Sequence, residues 1–225
     1  MLRRSISRAL GLLPRDGRLS FSQEGEDVLL QRIFEGKRRG FYIDVGAHHP
    51  TRFSNTFLFY LQGWRGINID AMPGSMRAFE KSRPRDVNIE CPISDREEEL
   101  TYFMFNAPAL NTFSEREAAR KDGLGTYRIV ERRQMRTETL ASVLDKHLPN
   151  GQAIDFLSVD AEGADLQVLK SIDWARTRPE VVLAEELEAD LEQVCSQSEI
   201  RTYLHDRGYR LFAKTLNTLF FRLRA

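Results

Sequence analysis

Four apolar runs in this chain each end on an acidic residue, and those four ends are where chemistry is expected. Phe41-Tyr42-Ile43 runs into Asp44-Val45-Gly46-Ala47, and Gly66-Ile67-Asn68-Ile69 ends at Asp70. Ile154 to Val159 ends at Asp160, and Val181 to Ala184 ends at Glu185. A buried strand that ends on Asp, then Gly, then a small residue resembles a strand leaving a parallel sheet beside a nucleoside-type ligand, because Gly46 carries no Cβ to keep that ligand away. Asp70, at the end of the next strand, is placed to accept hydrogen bonds from ribose hydroxyls. Asp160 and Glu162 stand two apart at a strand end, so both carboxylates can project to one side. His48 and His49 follow the first motif, and an imidazole there is a natural base near neutral pH.

Alternating strands and helices are needed to position these groups. Val28, Leu29, Ile33 and Phe34 recur at helical spacing, so a helix is expected over Gln23–Phe34, with Ser20 and Gln23 as its capping box. Helices are also expected over Asn55–Leu61, Pro73–Lys81, Thr139–His147, Gly163–Ile172 and Ser196–Asp206. Between them fall strands Gly66–Asp70, Val87–Ile93, Leu100–Phe105, Ile154–Val159 and Val181–Ala184. Thr126–Arg136 reads as an edge strand, and polar, irregular 106–125 as a mobile loop or lid. Tyr209–Lys214 and Thr218–Leu223 flank Leu216-Asn217 as a hairpin. The pattern predicts an α/β, doubly wound Rossmann-like sheet with a C-terminal antiparallel β-hairpin, whose ligand lies at the carboxyl ends of the strands.

The chain has 225 residues, 41% hydrophobic and 29% charged, which suits one α/β domain over 20–225 preceded by an N-terminal arm, 1–19. Lysine plus arginine and aspartate plus glutamate both number 33, and this balance argues against general nucleic-acid binding. Two distant cysteines, Cys91 and Cys195, suit neither a disulfide framework nor a zinc site and fit a reducing, cytoplasmic setting. Residues 1–13 interleave Arg3, Arg4 and Arg8 with leucines, a pattern of either a loosely tethered arm or a weak membrane-surface contact. A second copy of the chain is a further partner left open.

Five pieces together resemble the FkbM-type methyltransferases, a branch of the S-adenosylmethionine-dependent enzymes with the class I methyltransferase fold. They are Phe21-Ser22-Gln23-Glu24-Gly25-Glu26-Asp27, Ile43-Asp44-Val45-Gly46-Ala47, Ser54-Asn55-Thr56, Gly63-Trp64-Arg65-Gly66, and Ser158-Val159-Asp160-Ala161-Glu162-Gly163-Ala164-Asp165. One departure stands at the second strand end, where the family commonly has Glu-Pro and this chain has Asp70-Ala71, with Pro73 kept.

The resemblance implies S-adenosyl-L-methionine as cofactor, with Asp44, Gly46 and Ala47 around its methionine part and Asp70 on the ribose diol. It places adenine beside 91–95, with Ser94 or Asp95 at its amino group, and gives Asn55 a hydrogen-bonding role toward cofactor or acceptor. Asp160, Glu162 and His48 are the catalytic candidates; Asp160, Glu162 and Glu185 are also candidate ligands for Mg2+. A sugar hydroxyl is a weak acid, so its methylation needs a base or a metal. The implied function is O-methylation of a sugar, glycan, glycolipid or natural product. N-methylation and a non-catalytic methyltransferase-like scaffold are the alternatives. A nicotinamide oxidoreductase is disfavoured, because Pro50 stands where a phosphate-binding helix would start.

Overall fold

The computed structural model describes residues 17–187 and 190–224, so the basic stretch of the N-terminal arm lies outside the described residues. In chain order the elements are α1 (Glu26–Ile33), β1 (Phe41–Val45), α2 (Phe57–Leu61), β2 (Arg65–Asp70), α3 (Met76–Ser82) and β3 (Val87–Glu90). Next come β4 (Glu99–Phe105), a 3-10 turn (Pro108–Leu110), α4 (Glu115–Lys121), β5 (Ile129–Arg136), α5 (Leu140–His147) and β6 (Phe156–Val159). The chain finishes with α6 (Asp165–Lys170), β7 (Val181–Glu185), α7 (Leu191–Gln197), α8 (Glu199–His205), β8 (Tyr209–Lys214) and β9 (Thr218–Leu223).

Seven strands form one sheet in the order β3-β2-β1-β6-β7-β9-β8. β1, β2, β3, β6 and β7 are parallel, and β9 runs antiparallel between β7 and β8. The expected hairpin is therefore present, with its second strand driven into the sheet rather than appended to the edge. Strand order reverses between β1 and β6, whose register pairs Val45 with Val159, and that reversal opens a crevice at the carboxyl edge.

β1 and β6 are buried throughout because helices cover both faces. Alternation along each strand sorts their side chains between two cores. Ile43, Val45, Leu157 and Val159 pack on the face carrying Leu140, Leu169 and Leu204. Tyr42 and Phe156 point the other way, into an aromatic core with Phe34, Phe59 and Trp64.

Two expectations are corrected. Ser20 and Gln23 form no capping box: Ser20 Oγ (2.6 Å), Ser22 Oγ (2.9 Å) and the Phe21 amide (2.8 Å) all donate to the fully buried Asp27 carboxylate. α1 then starts after Gly25, which takes a φ of 89°. The segment 106–125 is not irregular throughout. It holds the 3-10 turn and α4, whose start is marked by Ser114, its Oγ accepting from the Glu117 amide at 3.3 Å. β5 is an edge strand as expected, paired with β4 in a two-stranded sheet apart from the main one.

Candidate active site at the carboxyl edge of the sheet

The crevice between β1 and β6 deepens into a cleft enclosing about 850 Å3, its open mouth included. Val45, Ile69, Cys91, Ile93 and Val168 line it with apolar surface, and Gly46, His48, Asp70, Asp160 and Glu162 line it with polar groups. Gln23 and Phe53 also line it, and Pro108, Ala109 and 111–113 close it from the side of the small sheet.

Gly46 holds β1 and β6 together at this point. Its φ is 80°, and a Cβ there would sit 1.7 Å from the Asp160 carbonyl oxygen. The close neighbour that demands glycine is thus the chain after β6. The amides of Gly46 and Ala47 both donate to the Ile69 carbonyl, at 2.9 and 3.0 Å, and turn the loop across the end of β2. Ala47 itself is buried against Met76 and Phe79.

Asp70 is buried at the end of β2, one oxygen accepting from the His48 amide and the other from the Met72 amide, both at 2.8 Å. Burial raises its pKa against those two hydrogen bonds, which lower it. Each carboxylate oxygen retains a second lone pair for a diol. Asp44 is buried beneath the cleft floor, accepts from Thr56 Oγ1 at 2.7 Å, and is pushed by burial to about 6. Asn55 donates to Ser158 Oγ at 3.1 Å and so ties the Ser-Asn-Thr loop to β6.

The structure gathers Asp160, Glu162 and Glu185: one oxygen from each lies within 4.8 Å of the others. The Asp160 side chain is exposed to the cleft. The protein packed around it and the adjacent Glu162 raise its proton affinity. Burial, then Asp160, pushes Glu185 to about 11, and its Oε2 is buried without a hydrogen-bond partner. Asp165 stands behind them, raised by burial to about 7 although the amides of Glu185, Ala161 and Gly163 donate to it. Glu162 has a positive φ of 51°, and its carboxylate pairs with Lys121 Nζ at 2.5 Å. Burial raises Glu162, and Lys121 opposes the rise.

Backbone strain is concentrated here. Among the described residues three non-glycine positions have positive φ, His48 (51°), Phe53 (56°) and Glu162 (51°), and all three line the cleft. Such conformations persist where surrounding contacts enforce them, and they cluster at functional sites.

Of the two histidines, His48 faces the cleft. The ring of His49 turns aside, its Nδ1 accepting from the Arg52 amide at 3.1 Å and the Thr51 amide at 3.2 Å. Burial lowers the pKa of both, which favours a neutral His48 ring at the cleft. Ser94 and Asp95 do not line the cleft. The chain leaves β3 after Glu90, and the Ser94 amide turns to the Glu138 carbonyl at 3.0 Å. Arg133 and Arg136 also stay outside it, paired with Glu131 and Glu97 on the small sheet.

Two residues central to the site gave no warning in the sequence. Lys121 is buried on α4 and reaches Glu162 across 41 positions. Arg83 is wholly buried; it donates to the Pro50 carbonyl, Ser54 Oγ, Thr56 Oγ1 and Asn68 Oδ1, and fastens the loop between β1 and α2. Only the Ser114-x-x-Glu117 cap pattern could have signalled the helix that carries Lys121.

The residues present fit S-adenosylmethionine. Asp70 has spare lone pairs for a ribose, the apolar floor suits a purine, and the unmatched carboxylates suit a cationic sulfonium and ammonium. The backbone was compared with solved structures. The C-terminal domain of precorrin-6Y C5,15-methyltransferase from Rhodobacter capsulatus is 13% identical, with 93% of this chain and 92% of that one covered and a TM-score of 0.45. A TehB-like SAM-dependent methyltransferase from Corynebacterium glutamicum is 11% identical, with 99% and 96% covered and a TM-score of 0.42. No curated protein matches the sequence. A family profile described as "Methyltransferase FkbM domain" matches residues 44–211, from the β1 carboxylate to β8. That match spans the sheet, the cleft and the acidic strand ends together, and with it the chain belongs to the FkbM methyltransferase family, a SAM-dependent methyltransferase with the doubly wound class I fold.

Proposed function

We propose that the protein methylates a hydroxyl of a sugar, glycan, glycolipid or related natural product. The observation that carries this reading is the acidic cluster in the cleft, where Asp160 is exposed and one oxygen of it lies within 4.8 Å of Glu162 and Glu185. A carboxylate there can take up the proton that a weakly acidic hydroxyl releases on methylation.

S-adenosylmethionine supplies an electrophilic methyl on a cationic sulfur. Gly46 and Asp70 would hold one end of it, and the apolar floor would keep water from the acceptor. Asp160 would take the acceptor proton, with Glu162 held beside it by Lys121. His48 is a further basic group lining the cleft. The three carboxylates could instead hold Mg2+, a reading favoured by the partnerless Glu185 oxygen and by an all-oxygen donor set.

Calorimetry with S-adenosylhomocysteine comes first. The parent is expected to bind in the micromolar range, and Asp70→Ala to weaken binding by about thirtyfold, in keeping with the loss of charge-assisted hydrogen bonds. A screen of hydroxyl and amine acceptors follows, with Asp160→Asn expected to slow transfer by about a hundredfold. Loss of activity with chelator and its return with magnesium selects the metal form. Methylation of amines alone sinks the hydroxyl reading.

A further inference from the structure

Of the three strained residues, His48 presents its amide to Asp70 and Glu162 presents its carboxylate to the acid group. Phe53 has no such task. A bulky side chain at φ 56° is a genuine outlier, since asparagine or glycine takes that conformation far more readily. The ring is not buried to compensate: Phe53 is 46% exposed, at the mouth of the cleft. The turn is pinned on both sides, by Ser54 N on the Phe21 carbonyl at 2.9 Å and by Arg52 N on His49 Nδ1 at 3.1 Å. The backbone is thus built to hold an aromatic face out toward the cleft.

Arg52 completes the surface. Its guanidinium lies 5.0 Å from the Phe53 ring centroid, is exposed, and has no carboxylate partner among the described residues. Its Nη2 is 3.3 Å from His48 Nε2. The Gln23 side chain lines the same mouth, exposed. Positive charge therefore stands at the entrance and the carboxyl groups at the reacting end, so a ligand carrying an anion is favoured with that anion toward Arg52.

We infer that Phe53 and Arg52 form the acceptor dock, and that the acceptor is a sugar bearing an anionic oxygen group, a carboxylate or a phosphate. The apolar C–H face of the pyranose lies on the Phe53 ring, and the guanidinium takes the anion in a bidentate pair. The free hydroxyl is then turned away from Arg52, toward Asp160. This rests on the hydroxyl-methylation reading and names its substrate class.

The test uses the full chain saturated with S-adenosylhomocysteine, titrated with glucuronic acid, glucose 1-phosphate and glucose. Both acidic sugars are expected to bind about tenfold more tightly than glucose, as a charge-assisted pair implies, and Arg52→Gln to erase that preference. The tighter of the two identifies carboxylate or phosphate. Phe53→Asn, which tolerates the same backbone, is expected to weaken all three sugars about fivefold while the melting temperature holds or rises and S-adenosylhomocysteine affinity stays within about twofold. Equal binding of the three sugars, or no binding of any, overturns the dock, as does a melting temperature that falls by more than about 4 °C in Phe53→Asn, which would make the ring structural. If the parent fails to bind S-adenosylhomocysteine at all, the fault lies with the cofactor reading instead.

Discussion

Two polar regions flank β1, and they are built on opposite terms. On the β2 side, Arg83 is wholly enclosed, and it donates to four oxygens at 2.7 to 3.0 Å. Its guanidinium carbon also lies 5.4 Å from the Phe57 and Phe79 ring centroids. On the β6–β7 side, Asp160, Glu162 and Glu185 crowd together with one lysine among them, and an oxygen of Glu185 has no partner. A satisfied buried charge is architecture, whereas an unmatched one stores free energy that a ligand can release. The same sheet edge thus carries a rigid half that shapes the loop and a strained half kept for chemistry.

Breaking the satisfied half is expected to cost most. Arg83→Met strands Ser54, Thr56, Asn68 and the Pro50 carbonyl, and a loss of about 3–5 kcal/mol is expected, read as a midpoint shift in urea. A variant within about 1 kcal/mol of the parent would show that water replaces the arginine, and the contrast between the halves would dissolve.

Lys121→Met tests the boundary of the strained half. Without the ammonium, the folded-state pKa of Glu162 moves further up, so stability is lost as pH rises through it. The deficit against the parent is expected to be small near pH 4 and to reach about 2 kcal/mol near pH 8. A deficit independent of pH would mean that the lysine matters only for packing.

Glu185→Gln should act in the opposite sense and more weakly. Glu185 is held protonated up to about 11 in the fold but ionises near its ordinary value when unfolded. Its contribution is therefore intact below the unfolded pKa and lost as pH rises above it. The amide is expected to leave the melting temperature unchanged near pH 4 and to raise it by about 2–4 °C near pH 8. A lower melting temperature at pH 8 would mean that Glu185 is ionised and paired.

These residues also separate what was legible in the sequence from what was not. Asp44, Asp70, Asp160 and Glu185 were legible because each closes an apolar run, and parallel strands bring such ends to one edge. The alternation of strands and helices and the final hairpin were legible for the same reason. Arg83 and Lys121 were not: each lies in a polar stretch with ordinary spacing, and its partners are distant in sequence. α7 was also missed, because Leu191–Gln197 is largely polar, although Asp190 and Gln193 form a capping box at its start. Ser94 and Asp95 were placed beside adenine by the resemblance alone; β3 was expected to reach Ile93 but ends at Glu90, just before Pro92.

The position of β9 bears on how the chain is made. During synthesis β7 emerges with its Val181-Val182-Leu183-Ala184 edge bare, and the strand that pairs with it comes more than thirty residues later, at Thr218–Leu223. Until then a nascent chain offers an apolar strand edge to any neighbour, and β8 has no sheet to join. Ribosome pausing or truncation before Thr218 would therefore yield aggregation rather than a smaller folded protein, and chaperones would be needed in that interval.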